Sequence, residues 1–229
     1  MKTLPFLLVG ALLFVVPLSA AAAGAGFEQR CEQEMKPRFE VVSRAAGYKV
    51  NNTVSSRLLN NRGSYTSVGQ MMMGMTSSHA LAEIDITGPL LVDVQNGREC
   101  LAPHIIVELS YQPLDVFVAR EFNPHSCPFR VVIEHELRHV QVYSEQLPRI
   151  EAMVRRELEL RYAGRPLYAK AGDALNYLQR DIDTWLRPLI RAELASVELM
   201  QHAIDSPEEE ERLSRACQGE VASMMGSSF

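Results

Sequence analysis

The order of hydrophobic patterns along the chain predicts an α+β fold. Period-two alternation dominates the N-terminal half, and helical periodicity takes over from about residue 128 to the end. Strands first and helices afterwards place an antiparallel sheet ahead of long C-terminal helices. The composition suits one globular unit, with 47% hydrophobic and 22% charged residues among 229. That length predicts a single α+β domain over residues 26–229.

Residues 1–25 are set apart from that domain. Lys2 supplies a positive n-region, Leu4 to Leu18 is nearly unbroken apolar sequence, and Ser19 to Ala25 is small. This is the pattern of a secretory signal peptide cleaved after Ala23 or Ala25. The apolar run is shorter than the roughly 20 residues of a spanning helix, so no stable membrane insertion is expected after cleavage. The mature chain is therefore expected to be periplasmic or secreted. The net charge of −5 is scattered and forms no basic stripe, which argues against nucleic acid as a partner.

The strand-rich half begins after a short helix or extended lead-in over Gln29 to Ser43 and a turn-rich stretch from Gly47 to Ser67. Ala82 to Ile86 alternates, Gly88-Pro89 breaks it, and Asn96-Gly97 after Leu90 to Val94 is a hairpin signal. Ile105, Val107, Leu109 and Tyr111 place one apolar face on a further strand, and Leu114 to Phe122 alternates again. Cys127-Pro128 with Ser126 as a cap opens the helical half. Gly164-Arg165-Pro166 and Ser206-Pro207 interrupt it, and Leu175, Leu178, Ile182, Trp185 and Leu189 form a stripe on a helix expected to kink at Pro188.

Four cysteines, Cys31, Cys100, Cys127 and Cys217, form an even set that in an oxidising compartment favours two disulfides. Of the three connectivities, Cys100–Cys127 across the central strands and Cys31–Cys217 across the chain ends are preferred. No C-x-x-C pair points to zinc ligation by thiolates. Met71, Met72, Met73 and Met75 with His79 have the donors for copper(I), but buried methionine packing explains them with fewer assumptions. Glu208 to Glu211 follow Ser206-Pro207, where Glu209 completes a capping box at a helix start.

The chemistry-bearing motif is His135-Glu136-Leu137-Arg138-His139. Histidines four apart on a helix share one face and reach one metal ion, while the intervening glutamate sits beside that ion as a general base. Zn2+ at His135 and His139 would acidify water to a pKa of about 7, and Glu136 would shuttle its proton to a leaving amine. A helical wheel puts Ile133, Leu137, Val140 and Leu147 on a core face and the histidines roughly opposite, flanked by Val131 and Val142.

Strands followed by Cys127-Pro128-Phe129-Arg130 and Glu134 to Val140 resemble the zincin metallopeptidases. More narrowly, they resemble a family of exported bacterial proteins described as putative secreted zinc proteases. The likeness covers roughly residues 48–159 and rests on the motif and its flanks. It implies zinc ligands at His135 and His139, Glu136 as catalytic base, and a peptide or protein substrate. By the same analogy the strand over Leu114 to Phe122 is the edge that aligns an extended substrate.

The third ligand stays open. Glu145 has metzincin spacing without the glycine that would turn the chain, so an unbroken helix points it away. Glu157 or Glu159 would serve if the chain reversed near Pro148. Glu193 and Glu198 on the later helix, and His79, His104 or His125 from the sheet side, are further candidates. Tyr143 is one turn past His139, where aromatic packing outweighs an oxyanion role. The alternative function is a non-catalytic periplasmic protein, either a degenerate zincin or a metal-binding module.

Overall fold

A computed structural model describes residues 26–45, 47–62, 72–162 and 164–226. The signal-peptide segment and Met71 of the methionine group lie outside the described residues. The fold is α+β, with small sheets from the N-terminal half followed by long helices.

The chain opens with α1 (Phe27–Glu34), β1 (Arg38–Ala45), β2 (Tyr48–Asn51) and α2 (Ser56–Arg62). Then come β3 (Gly74–Ser77), β4 (Ala80–Thr87), β5 (Leu90–Asp93), β6 (Arg98–Leu101), β7 (His104–Tyr111) and β8 (Leu114–Val118). The helical half holds α3 (Cys127–Tyr162), β9 (Leu167–Lys170), α4 (Ala174–Ile204), α5 (Pro207–Arg215), a 3₁₀ turn (Ala216–Gly219) and α6 (Glu220–Gly226).

The strands form three small sheets, ordered β1-β7-β4, β2-β8-β3 and β5-β6-β9. Pairing is mostly antiparallel, but β1 runs parallel to β7 and β2 parallel to β8. The predicted hairpin joins β5 to β6 with Gly97 at φ 61°, where a glycine relieves left-handed strain. The lead-in is part helix and part extended, α1 followed by β1. Two expectations fail here. The break at Gly164-Arg165-Pro166 delivers a strand, β9, into the helical half, where it pairs with β6. The strand Leu114–Val118 is central, between β2 and β3, so it offers no free edge and cannot align a substrate by strand addition.

Helix α3 runs through Pro148 without reversing. Its buried residues recur every three or four positions: Val132, His135, Glu136, His139, Val140, Tyr143, Leu147, Ile150, Val154 and Leu158. Val140 and Leu147 lie in the core and the histidine face is enclosed, as the helical wheel placed them, but the histidines continue the buried stripe while Ile133 and Leu137 lie at its margin. The cause is that α3 is covered on two sides, by β1, β3 and β8 on one and by α4 on the other. The stripe on α4 keeps Leu178 and Ile182 but continues through Leu186, Ile190, Leu194, Val197 and Gln201, leaving Leu175 exposed. Together with Val107, Leu109 and Tyr111 of β7 these residues form the main core.

The disulfides are Cys31–Cys100 and Cys127–Cys217, not the pairing preferred from sequence. Cys31 and Cys100 sit in a small core with Met35 and Ala102, so α1 is pinned to β6. Cys127 opens α3 and Cys217 follows α5, so the second bridge ties the chain's C-terminal segment to the start of the motif helix. Sequence order could not choose among pairings because each joins segments brought together only by the tertiary fold. Among the described residues no helix is long and apolar enough to cross a membrane.

Candidate metal centre

His135 and His139 lie one turn apart on α3 with their rings 5.1 Å apart, as the spacing dictates. Both are buried, at 7% exposure each. The third group comes from the end of α4: Asp205, its C-cap residue. Asp205 Oδ1 lies 3.0 Å from His135 Nε2 and 3.1 Å from His139 Nε2, and the two Nε2 atoms are 3.4 Å apart. With metal–ligand bonds of about 2.0–2.1 Å, two ligands of a tetrahedral ion sit roughly 3.3–3.4 Å apart. The three atoms thus approximate one face of such a tetrahedron, and the donor set of two imidazoles and a carboxylate suits a divalent transition metal.

Each histidine is held from its far side. Gln201, buried one turn before Asp205 on α4, accepts from His139 Nδ1 at 2.7 Å and donates back to the His139 carbonyl at 3.2 Å. With the proton on Nδ1, the Nε2 lone pair faces Asp205. At His135 the partner is a carboxylate, Glu209 Oε1, 3.1 Å from Nδ1. Glu209 in turn accepts from Arg212 Nε and Nη2 at 2.8 and 2.7 Å and pairs with Arg138. An Arg138 guanidinium nitrogen is also 2.7 Å from His135 Nδ1. His135 therefore has two proton placements. Nδ1–H toward Glu209 frees Nε2 for a metal, whereas a bare Nδ1 accepts from Arg138 and leaves Nε2–H donating to Asp205.

Electrostatics agree with an anion-rich pocket around two imidazoles. Hydrogen bonds from Arg212, His135 and Arg138 hold the Glu209 carboxyl down at about 2 against the upward push of burial. Burial also pushes Asp205 up, but hydrogen bonds from both histidines win and keep it well below the usual carboxylate range. For His139, burial favours the neutral ring, and Asp205 with Glu136 outweighs it to raise the pKa.

Glu136 stands beside the triad without joining it. It is 4% exposed, and its Oε2 accepts from Thr76 Oγ1 of β3 at 2.8 Å. The same hydroxyl lies 3.1 Å from the Glu136 carbonyl. Gly74 on β3 makes room for this carboxylate: a Cβ there would come within 2.7 Å of Val132 Cγ1 and 2.9 Å of Glu136 Cδ. Burial raises the Glu136 pKa, an effect only partly offset by the nearby histidines and Thr76.

None of the third-ligand candidates named from the sequence joins the triad. Glu145 is exposed and accepts from Gln141, Glu157 pairs with Arg156, and Glu159 is exposed. Glu193 belongs to α4 away from the cluster, and Glu198 accepts from Tyr143 at 3.3 Å. His79, His104 and His125 are likewise outside it. Tyr143 is a packing residue, its ring 4.4 Å from that of Tyr111. The capping role of Ser206 holds, since its side chain accepts from the Glu209 N–H, but the Glu209 side chain turns to His135 and the arginines. A signal for Asp205 was present: Ser206-Pro207 ends a helix, and Gln201 and Asp205 repeat the four-residue spacing of His135 and His139.

Compared with known proteins, the chain matches no family model, no curated protein and no solved structure.

Proposed function

We propose that the protein is an exported zinc-dependent hydrolase that cleaves peptide or related amide bonds at the His135–His139–Asp205 centre. The observation that carries this reading is the triangle of Nε2, Nε2 and Oδ1 atoms with edges of 3.0, 3.1 and 3.4 Å, beside a buried carboxylic acid outside the triangle. Three protein donors leave one vertex of a tetrahedron for water or substrate, the arrangement of catalytic rather than structural zinc. Held by His135, His139 and Asp205, zinc would supply Lewis acidity, bringing the pKa of water to about 7 and polarising a carbonyl.

The chain's own residues do the rest. Gln201 accepts from His139 Nδ1 and so turns its Nε2 lone pair to the centre, and His135 in the placement that donates Nδ1–H to Glu209 presents its Nε2 beside it. Glu136, raised in pKa by burial and oriented by Thr76, is suited to take a proton from water and return it to a leaving amine. Asp205, with its side chain half exposed, marks the solvent-facing side of the centre. The two disulfides accord with an extracellular or periplasmic setting.

The test is metal analysis of the purified protein together with Glu136→Gln, His139→Ala and Asp205→Ala, each assayed on a peptide library. Catalysis requires that Glu136→Gln keep zinc and lose turnover, and that His139→Ala and Asp205→Ala lose both. Full turnover in Glu136→Gln would end the proposed mechanism. Zinc binding without turnover in the unaltered protein would leave the non-catalytic metal-binding reading in its place.

A further inference from the structure

Away from the metal centre, a groove of about 410 Å³ runs between β4 and α4. Its floor on the strand side is Ala80, Ala82 and Ile84, which share one face by strand alternation. On the helix side Ile190, Leu194 and Ala195 line it, between Arg187 and Arg191 at one end and Glu198 at the other. These helical positions recur at three- and four-residue intervals, so they form one stripe. From Arg187 to Glu198 the stripe is roughly 16 Å long. From Ala80 to Ile84 the strand runs roughly 13 Å, so the two walls match in length.

Three further observations say what fits. First, β4 is the last strand of the β1-β7-β4 sheet, and among the described residues its outer edge pairs with nothing. The exposed run Ala80 to Glu83 leaves backbone donors and acceptors open beside the groove. Second, the groove is wide because Ala80, Ala82 and Ala195 are small, which leaves space for side chains from another chain. Third, its ends are oppositely charged. Ala80 pairs with Tyr111, whose ring packs at a tilt against Tyr143, and Tyr143 donates to Glu198, so the acidic end lies beside Ala80. The basic end then lies toward Ile84. Arg187 there is partly neutralised by Asp183 at 2.7 Å, whereas Arg191 is exposed with no acidic partner among the described residues.

We infer that this groove binds an extended peptide segment, which adds to β4 as a further strand. Its alternate small apolar side chains point into the groove, and an acidic residue at one end meets Arg191. An acyl chain would satisfy the apolar wall but leave the strand edge unpaired; a peptide satisfies both. The inference concerns binding and stands apart from catalysis at the metal centre.

Fluorescence anisotropy on the full-length chain carrying Glu136→Gln, which prevents cleavage of the probe, tests it. The probe is a labelled Val-Thr-Val-Thr-Val-Glu-Glu peptide. A control probe is N-methylated at alternate backbone nitrogens, and a third ends in Lys-Lys instead of Glu-Glu. Saturable binding of the first probe is expected, with loss for the N-methylated one and for Ala195→Trp, which fills the groove at an exposed position. Arg191→Glu should weaken the acidic probe by about tenfold, or ~1.4 kcal/mol, and strengthen the Lys-ended one. Equal binding of the N-methylated probe, displacement by laurate alone, indifference to Ala195→Trp, or no saturable binding would each overturn the inference.

Discussion

Gly74→Ala separates the general-base position from the metal ligands. A Cβ at Gly74 would lie 2.7 Å from Val132 Cγ1 and 2.9 Å from Glu136 Cδ, and closer still to Glu136 Oε1. Carbon atoms rest at about 3.5–4.0 Å, so the strand and the helix must part, or the Glu136 carboxylate must move, by on the order of 0.8 Å. The Val132 contact is relieved only by β3 moving off α3, which strains the packing around it, and the Glu136 contacts only by the carboxylate moving as well. The 2.8 Å bond from Thr76 then stretches past hydrogen-bonding range. The histidines, Gln201 and Asp205 do not touch Gly74 and keep their geometry. Overpacking of this kind costs about 1–3 kcal/mol, and a ~1 Å misplacement of a catalytic group costs about 10²-fold in rate. Denaturant unfolding, zinc content and peptide hydrolysis measured on one preparation read all three effects. Unchanged stability together with unchanged turnover would refute the placement of Glu136 against β3. Loss of zinc would show that the carboxylate is a ligand after all.

Other perturbations probe the clamps and the frame. Gln201→Leu keeps the helix stripe but removes the partner of His139 Nδ1, so zinc affinity should fall about 10–100-fold in a competition assay with a chelator; unchanged affinity would deny the clamp its role. Helix α5 buries none of its residues, so the segment carrying Glu209 depends on the Cys127–Cys217 bridge and on Val221 for its seat. Replacing both cysteines by serine should lower stability by about 2–4 kcal/mol and weaken metal binding, whereas the Cys31→Ser/Cys100→Ser pair should leave metal affinity intact. Asp181 accepts from Arg161 and Tyr162 at 2.8 Å each, and the Arg161 bond leads in lowering its pKa below 3.8. A depressed carboxyl contributes stability above its unfolded pKa and loses it as pH falls through the folded value. The stability gap between the unaltered protein and Asp181→Asn should therefore be constant above about pH 4 and shrink below it; a gap that persists into strong acid would count against this origin.

The sequence carried the local facts. Histidines four apart on a helix must share a face, so His135, His139 and the adjacent Glu136 were legible from spacing alone, as was the change from strand to helix near Cys127. The Asn96-Gly97 turn and the cap at Ser206 were legible for the same reason, because turn and cap chemistry acts within a few residues. Nothing within one turn of the motif says which distant residue completes it. Asp205 is 66 residues beyond His139 and reaches it only because α4 packs antiparallel against α3, which sets Gln201 on His139 and Glu198 on Tyr143. The disulfide pairing, the central place of β8, and the displacement of Ile133 and Leu137 to the margin of the buried stripe were decided in the same way. Each depends on which elements become neighbours, and one-dimensional periodicity reports only how a segment divides its own faces.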